Sequence, residues 1–478
     1  MQEGAAIGTG LAPADGAVLD RLVAALGPGA VAAAEPRYLE EPRGRFHGRA
    51  AAVLRPASTE AVSAAVAICA EARVGIVPYS GGTGLVGGQI FGEGPLPVVL
   101  SFERMARIRD LDLTDGLMVA EAGCVLADVH SAARDVGRIF PLTLASEGSA
   151  RIGGLLGTNA GGIGVIRYGN ARHLCLGIEA VLADGSIVRD LSRVAKDNMG
   201  YDLRDLLVGS EGTLGLITAA SLRLYPQPAE VATAWVAVTA PTTALDLLGA
   251  LREALGGSIS AFELIGAEGL AFLAEVLPQV PQPPALPTGW RVLVEVAEGE
   301  GAEVSARLEA ALAQAIEAGT VADALVAQSA AQRDAFWRVR ETIPEANRLI
   351  GAIASHDISV PPSRLAEFLA QAGVRIAALD PTMRINCFGH LGDGNLHYNV
   401  FPARGRDRAD YESLRKPVTR LVHDLVHTLG GSVAAEHGVG RLKVPDVVRY
   451  ADPGKLAAMR AVKRALDPLG ILNPGAIL

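Results

Sequence analysis

Cysteine is scarce in this chain. Cys69, Cys124, Cys175 and Cys387 are the only four in 478 residues; they lie far apart and form no CxxC pair. That spacing argues for a reducing compartment and against a disulfide scaffold. No uncharged apolar run reaches the roughly 18 residues of a transmembrane helix, so none is expected. The opening stretch MQEGAAIGTGLAPADG has neither a basic n-region nor an apolar h-region, so no secretory signal is expected. There is no long basic run and the formal net charge is −9. Phosphate contact relies on clustered Lys and Arg, so nucleic acid is not an expected partner. These absences together point to a soluble, cytoplasmic protein, with peripheral attachment to a membrane left open.

What is abundant is apolar residues, at 50%, and glycine, at 55 residues, and the glycine is clustered. A chain of this length suggests two or three domains. Residues 50–78 read strand, helix, strand, with Ser58 as the helix N-cap. LCLGIEAVLADGSIVRD reads as two strands joined at Asp184-Gly185, a hairpin turn signal. After the prolines at 226 and 228 a second region begins. Its strands (WVAVTA, WRVLVEVAE) alternate with helices, interrupted by the Pro-rich loop PQVPQPPALPTG. The alternation predicts an α+β domain whose antiparallel sheet carries helices on one face.

PYSGGTGLVGGQ, residues 78–89, holds a GxGxxG at Gly82, Gly84 and Gly87. A Rossmann loop should open a helix, and QIFGEGPLPVV cannot start one. A tight turn and a nest of backbone N–H groups around a pyrophosphate both remain open. Two further small-residue segments follow, at 142–170 and 208–218. Each adjoins a strand, and together they would line a groove long enough for a dinucleotide.

The second concentration of chemistry is CFGHLGDGNLHYNV, residues 387–400, with AAEHGVGRLK following at 434–443. If 391–396 is the loop of a hairpin, His390 lies opposite His397. Opposed residues share a face, and alternation adds Asn399 to it while turning Tyr398 away. Glu436 would complete a His/His/carboxylate set of the kind that binds Zn2+, Mn2+ or Fe2+. The competing reading is ordinary turn-capping and core side chains. His423 and His427 resemble a metal motif on one helical face, but Asp424 is too short for the required Glu and the helix is plainly amphipathic. His173 and His356 read as structural, although His356 sits near the proposed site.

The order PxxGGTGLVGG, GGLLGTNAGGIGVIRYG, KDNMGYDL and VGSEGTLGLIT resembles the FAD-binding oxidoreductases of the vanillyl-alcohol oxidase type. FWRVRETIPEAN, SHDISVP, CFGHLGDGNLHYNV, AEHGVGRLK and LDPLGILNPG are similar to their D-2-hydroxyacid dehydrogenase branch, covering about residues 45 to 478. The resemblance implies an FAD-binding domain over 1–225, with subdomains of about 1–130 and 131–225. It implies a substrate (cap) domain over 226–435. The segment 436–478 would return to complete the active site and the FAD domain. FAD would be lined by Tyr79, Ser80, Gly81, Gly82, Thr83, Gly84, Leu85, Ser146, Gly148, Gly153, Gly154, Thr158, Asn159, Gly162, Gly212, Ile217 and Asn473. Thr83 stands where some such flavoproteins tether FAD through a histidine, so the flavin is expected to be non-covalent. The branch carries a divalent metal at the positions of His390, His397 and Glu436, with Zn2+ the first expectation and Mn2+ or Fe2+ the alternatives.

In that chemistry Arg340 would hold the substrate carboxylate with its planar fork, unless it is spent on a surface pair with Glu341 or Glu345. Asn399 and His356 would add substrate contacts, and His437 would be the general base. Ser355 and Pro344 stand where hydroxyglutarate-type members often carry Lys and Thr, which leaves D-lactate and D-2-hydroxyglutarate both open; His356, Arg338 or Arg348 would have to compensate. The electrons would pass to an electron-transfer flavoprotein, a quinone or a cytochrome, and a homodimer is compatible. The competing enzyme class is a flavin oxidase that turns over another alcohol or a lactone with O2 and no metal.

Overall fold

The computed structural model describes residues 10–42, 44–284, 286–287 and 289–478. Residues 1–9, Arg43, and Ala285 and Thr288 of the Pro-rich loop lie outside them. The chain divides into two compact units.

Unit 1 comprises Met1–Gly161, Asn170–Pro226 and Glu436–Leu478. One sheet runs Val31–Ala32, Ala52–Leu54, Val98–Ser101, Ile76–Tyr79, with the last three strands parallel. Helix Thr59–Ala72 makes the crossover, and Ser58 caps it by accepting the Ala61 amide at 3.2 Å. A second, antiparallel sheet runs Ile108–Asp112, Leu117–Glu121, Leu216–Arg223, Cys175–Val181, Ile187–Asp190. Its last two strands are the hairpin read at Asp184-Gly185, where Gly185 takes φ +87°. The two sheets share one apolar core that includes Leu54, Val66, Leu100, Val181 and Leu216. The C-terminus joins it: Ile76 N donates to Ile471 O at 2.7 Å and Asn473 N to Ile76 O at 2.8 Å. Buried Lys463 fixes this tail by donating to Asp467 Oδ2 (2.5 Å), Thr213 O (2.7 Å) and Leu472 O (2.9 Å). A buried ammonium is tolerated because a carboxylate and two carbonyls satisfy it.

Unit 2 comprises Gly162–Gly169 and Gln227–Ala435. Its strands are β1 (Glu230–Val238), β2 (Ile259–Ile265), β3 (Trp290–Glu298), β4 (Asp323–Val326), β5 (Ala354–Ser359), β6 (Arg384–His390) and β7 (Asn395–Phe401). They form one antiparallel sheet in the order β4-β1-β3-β2-β6-β7-β5. The helices used below are α1 (Pro241–Leu255), α2 (Ala267–Val276), α3 (Val304–Glu317), α4 (Ala330–Ile350), α5 (Leu365–Leu379) and α6 (Glu412–Thr428). One face of the sheet, with Val236, Val294, Leu264, Leu396 and Tyr398, packs under α1, α3, α5 and α6. The opposite face carries Trp235, Leu293, Ile265, Phe388 and Phe401, and α2 and α4 cover it. The sheet is therefore covered on both faces, not on one as the alternation suggested. The second apolar row is too large to leave to water.

Candidate active site

On the face under α2 and α4, the strip formed by β2, β6, β7 and β5 is polar and buried. Strand alternation presents Glu263, Asn386, His390, Asn395, His397, Asn399 and Asp357 there. The hairpin forms, but its turn is shorter than expected: a 3-10 turn at Leu391–Asp393 followed by Gly394, with Asn395 already in β7. His397 therefore faces Phe388, and His390 sits one pleat further along. A shift of two residues keeps every side chain on its face. The His390 and His397 rings accordingly meet at 6.0 Å between centroids.

Arg340 reaches this strip from α4. The buried stripe of that helix is Phe336, Val339, Arg340, Ile343, Ala346 and Asn347, the spacing of one helical face. Arg340 is thus an inward position, and neither Glu341 nor Glu345 is its partner; Glu345 pairs with Arg348. The partner is Glu263, whose Oε2 accepts from both Nε and Nη2 of Arg340 at 2.7 Å. Oε1 of Glu263 meets His390 Nδ1 at 2.5 Å. The Arg340 guanidinium also stands over the Phe388 ring at 4.8 Å. Burial alone would raise the Glu263 pKa, but His390 and the Arg340 guanidinium beside it outweigh burial and hold the carboxyl below its ordinary range. The Nε/Nη2 edge of the arginine is thereby committed to protein, which leaves its Nη1 end for a ligand.

His390, His397 and Glu436, the residue just past the end of unit 2, each offer a ligand atom, and these atoms lie within 4.8 Å of one another. Among the described residues no other group of three such donors comes together. Two imidazoles and a carboxylate at that spacing fit a divalent transition metal. The carboxylate on His390 Nδ1 is the arrangement that fixes a ligating tautomer. Asn399 lies on the same face, 8% exposed, and its Oδ1 accepts the His356 amide at 3.1 Å.

His356 is misplaced by the sequence reading. Its register partner is Tyr398, so its ring turns to the opposite face, under α1, α3, α5 and α6, and packs edge-on against His423 of α6 at 5.4 Å. It is not part of the strip. The other positions considered for compensation are also outside it: Arg338 and Arg348 are exposed on α4. Ser355 is opposite Asn399 but exposed, and Pro344 is exposed.

In unit 1 the three glycine segments do come together. The loop after strand Ile76–Tyr79 opens no helix. Ser80 Oγ accepts the Gly154 amide at 3.0 Å, and a Cβ on Gly81 would lie 2.2 Å from Ser149 O. Glu211 N donates to Gly157 O at 2.8 Å. Among the described residues, the amides of Gly81, Gly82, Thr83, Gly84 and Leu85 donate no hydrogen bond, although the loop is half-buried. Consecutive amides with no acceptor and no acidic neighbour in the loop fit a pyrophosphate. Tyr79, Ser146, Gly148, Gly153, Thr158, Asn159, Gly212 and Ile217 belong to this unit, but Gly162 falls in unit 2. Asn473 is engaged at both ends of its amide, donating to Glu211 O and accepting from Arg441, each at 2.8 Å. It therefore braces the site through protein contacts.

Two residues here went unread in the sequence. Glu211, buried at φ +50°, accepts the amides of Val439 at 2.7 Å and Gly440 at 2.8 Å. Burial raises its pKa against the pull of those amides and of Arg441 and Lys443. Arg441 donates to Gly87 O (2.9 Å), Gly88 O (2.8 Å) and Pro474 O (2.8 Å), while burial lowers its pKa to about 10. Both fix the half-buried turn that carries His437. A carboxylate or guanidinium inside a glycine-rich stretch was the available signal.

Comparison with known proteins completes this picture. Residues 50–190 match the family described as FAD binding domain, and residues 227–477 match FAD linked oxidases, C-terminal domain. p-Cresol methylhydroxylase shares the fold, with a TM-score of 0.74 at 18% identity and 98% of each chain covered. The architecture is thus the two-domain α+β flavoprotein fold of the vanillyl-alcohol oxidase type, and FAD is its cofactor. The D-2-hydroxyglutarate dehydrogenase of Xanthomonas citri pv. viticola is 36% identical over 426 residues, 89% of each chain. The probable mitochondrial D-2-hydroxyglutarate dehydrogenase of Oryza sativa subsp. indica is 35% identical over 439 residues, 91% of this chain and 76% of its own. The chain belongs to the FAD-linked oxidases and is an FAD-dependent oxidoreductase. The cytoplasmic expectation does not stand, because plant and animal relatives are named mitochondrial. Cysteine spacing reports redox chemistry and does not assign a compartment.

Proposed function

We propose that the chain oxidises a D-2-hydroxyacid of the D-2-hydroxyglutarate class to the 2-oxoacid, using FAD and a divalent metal ion, Zn2+ foremost. The observation that carries the reading is the polar strip of unit 2, where two imidazoles of a His/His/carboxylate set and a buried arginine share one sheet face. The names of the relatives favour the dicarboxylate over D-lactate.

The flavin would be held by residues 78–88, 146–159 and 209–217, and the metal by His390, His397 and Glu436. When bound, FAD supplies the two-electron acceptor for the C2 hydrogen and the metal supplies Lewis acidity at the hydroxyl. Arg340 offers the Nη1 end of its guanidinium to the substrate carboxylate. Asn399 adds a polar amide on the same face. His437 takes the hydroxyl proton as general base. An external carrier (an electron-transfer flavoprotein, quinone or cytochrome) then collects the electrons.

Metal analysis beside stopped-flow flavin reduction tests these assignments. His390→Ala and His397→Ala should each lose bound metal. His437→Ala should keep the metal and slow flavin reduction by about 10²–10⁴-fold, the usual range for a lost general base. If His437→Ala loses metal as fully as His390→Ala, His437 is a ligand or a ligand's support and the base lies elsewhere.

A further inference from the structure

The mechanism above assigns no task to Glu263, yet it is the most buried carboxylate in the strip, 0% exposed and midway along the apolar strand β2. An acid in such a strand is kept only if its charge is matched. Here the two matches are the two groups on which the site depends. Oε2 takes the Nε and Nη2 hydrogens of Arg340, and Oε1 takes His390 Nδ1. Resting on the functional reading above, we propose that Glu263 is a positioning residue that sets the metal site and the substrate's carboxylate site together.

The reasoning is geometric. An imidazole whose Nδ1 hydrogen is held by a carboxylate carries its lone pair on Nε2, and the carboxylate makes it a stronger ligand. A guanidinium held along its Nε/Nη2 edge cannot rotate, so its Nη1 end keeps one direction. Register reinforces this, because Glu263 pairs directly with His390 across β2 and β6. One carboxylate therefore orients two neighbours that bind different partners, and its loss should weaken both affinities at once. A residue that merely stabilised the sheet would lower stability and leave both affinities in the folded protein unchanged.

The test uses the FAD-loaded, metal-stripped protein, Zn2+ alone as the metal probe, and KM for D-2-hydroxyglutarate after Zn2+ is restored. Glu263→Gln should weaken Zn2+ binding by about 10–100-fold and raise KM more than it lowers kcat. Because Gln leaves Arg340 buried without its ion pair, the folding-safe comparison is Glu263→Gln/Arg340→Met against Arg340→Met. The double variant should bind Zn2+ about 10–100-fold more weakly than the single one, which keeps Glu263 on His390. His390→Ala is the control that separates the two claims. If it weakens Zn2+ binding while Glu263→Gln and the double variant do not, Glu263 has no positioning role and the metal site stands. If His390→Ala itself leaves Zn2+ binding unchanged, the metal site falls and this inference with it.

Discussion

Glu211 accepts the backbone amides of Val439 and Gly440, residues more than two hundred positions away, at 2.7 and 2.8 Å. This contact lets the C-terminal segment belong to unit 1. Together with Arg441 on Gly87 and Gly88, it ties the turn after His437 to two of the glycine segments.

Glu211→Ala should therefore loosen that turn. Leaving a buried donor without its acceptor costs roughly 1–3 kcal/mol, and neither amide has a substitute acceptor in an alanine variant. The expected result is a lower urea midpoint, reduced FAD content on purification, and faster proteolysis near residues 436–443. Wild-type values for all three would show that the contact holds nothing in place.

The same residue predicts a pH dependence. Burial raises the Glu211 pKa above its ordinary value, so the folded protein holds that proton more tightly than the unfolded chain does. Its contribution to stability is then fully present below the unfolded carboxyl range and is lost as pH rises through the folded pKa. The stability gap between wild type and Glu211→Ala should narrow as pH rises above the ordinary carboxyl range in urea titrations. A gap that widens instead would mean that the amides and cations, not burial, dominate.

FAD should be non-covalent, since Thr83 offers no imidazole for a tether. Acid precipitation should release all of the yellow colour into the supernatant. Flavin retained on the pellet would refute this and call for a different attachment residue.

Much of the site was legible because its signals are local. Turn chemistry and strand alternation put His390, His397 and Asn399 on one face. That result survived a two-residue error in the loop because the side-chain period is two. The error came from the turn itself. Gly389 takes φ +152°, and a Cβ there would meet Asn395 O at 2.6 Å; this close approach lets β7 begin at Asn395. His356 was misread because its face depends on pairing with Tyr398 of β7, which lies 42 residues later. Glu263 was legible only as an anomaly, an acid in ISAFELI, and its partners on α4 and β6 are set by tertiary packing. The second covered face of the sheet was hidden for the same reason: Trp235, Leu293 and Phe388 form one surface only once the strand order is known.

The central claim is that bound flavin is reduced by a D-2-hydroxyacid with the help of a metal. Anaerobic mixing with D- or L-2-hydroxyglutarate, followed at the flavin absorbance before and after chelation, tests it most directly. The account predicts bleaching by the D enantiomer only, a large loss of rate once metal analysis shows the ion removed, and recovery on adding Zn2+ or Mn2+. Equal bleaching by both enantiomers, or an unchanged rate in protein shown to be metal-free, would contradict it.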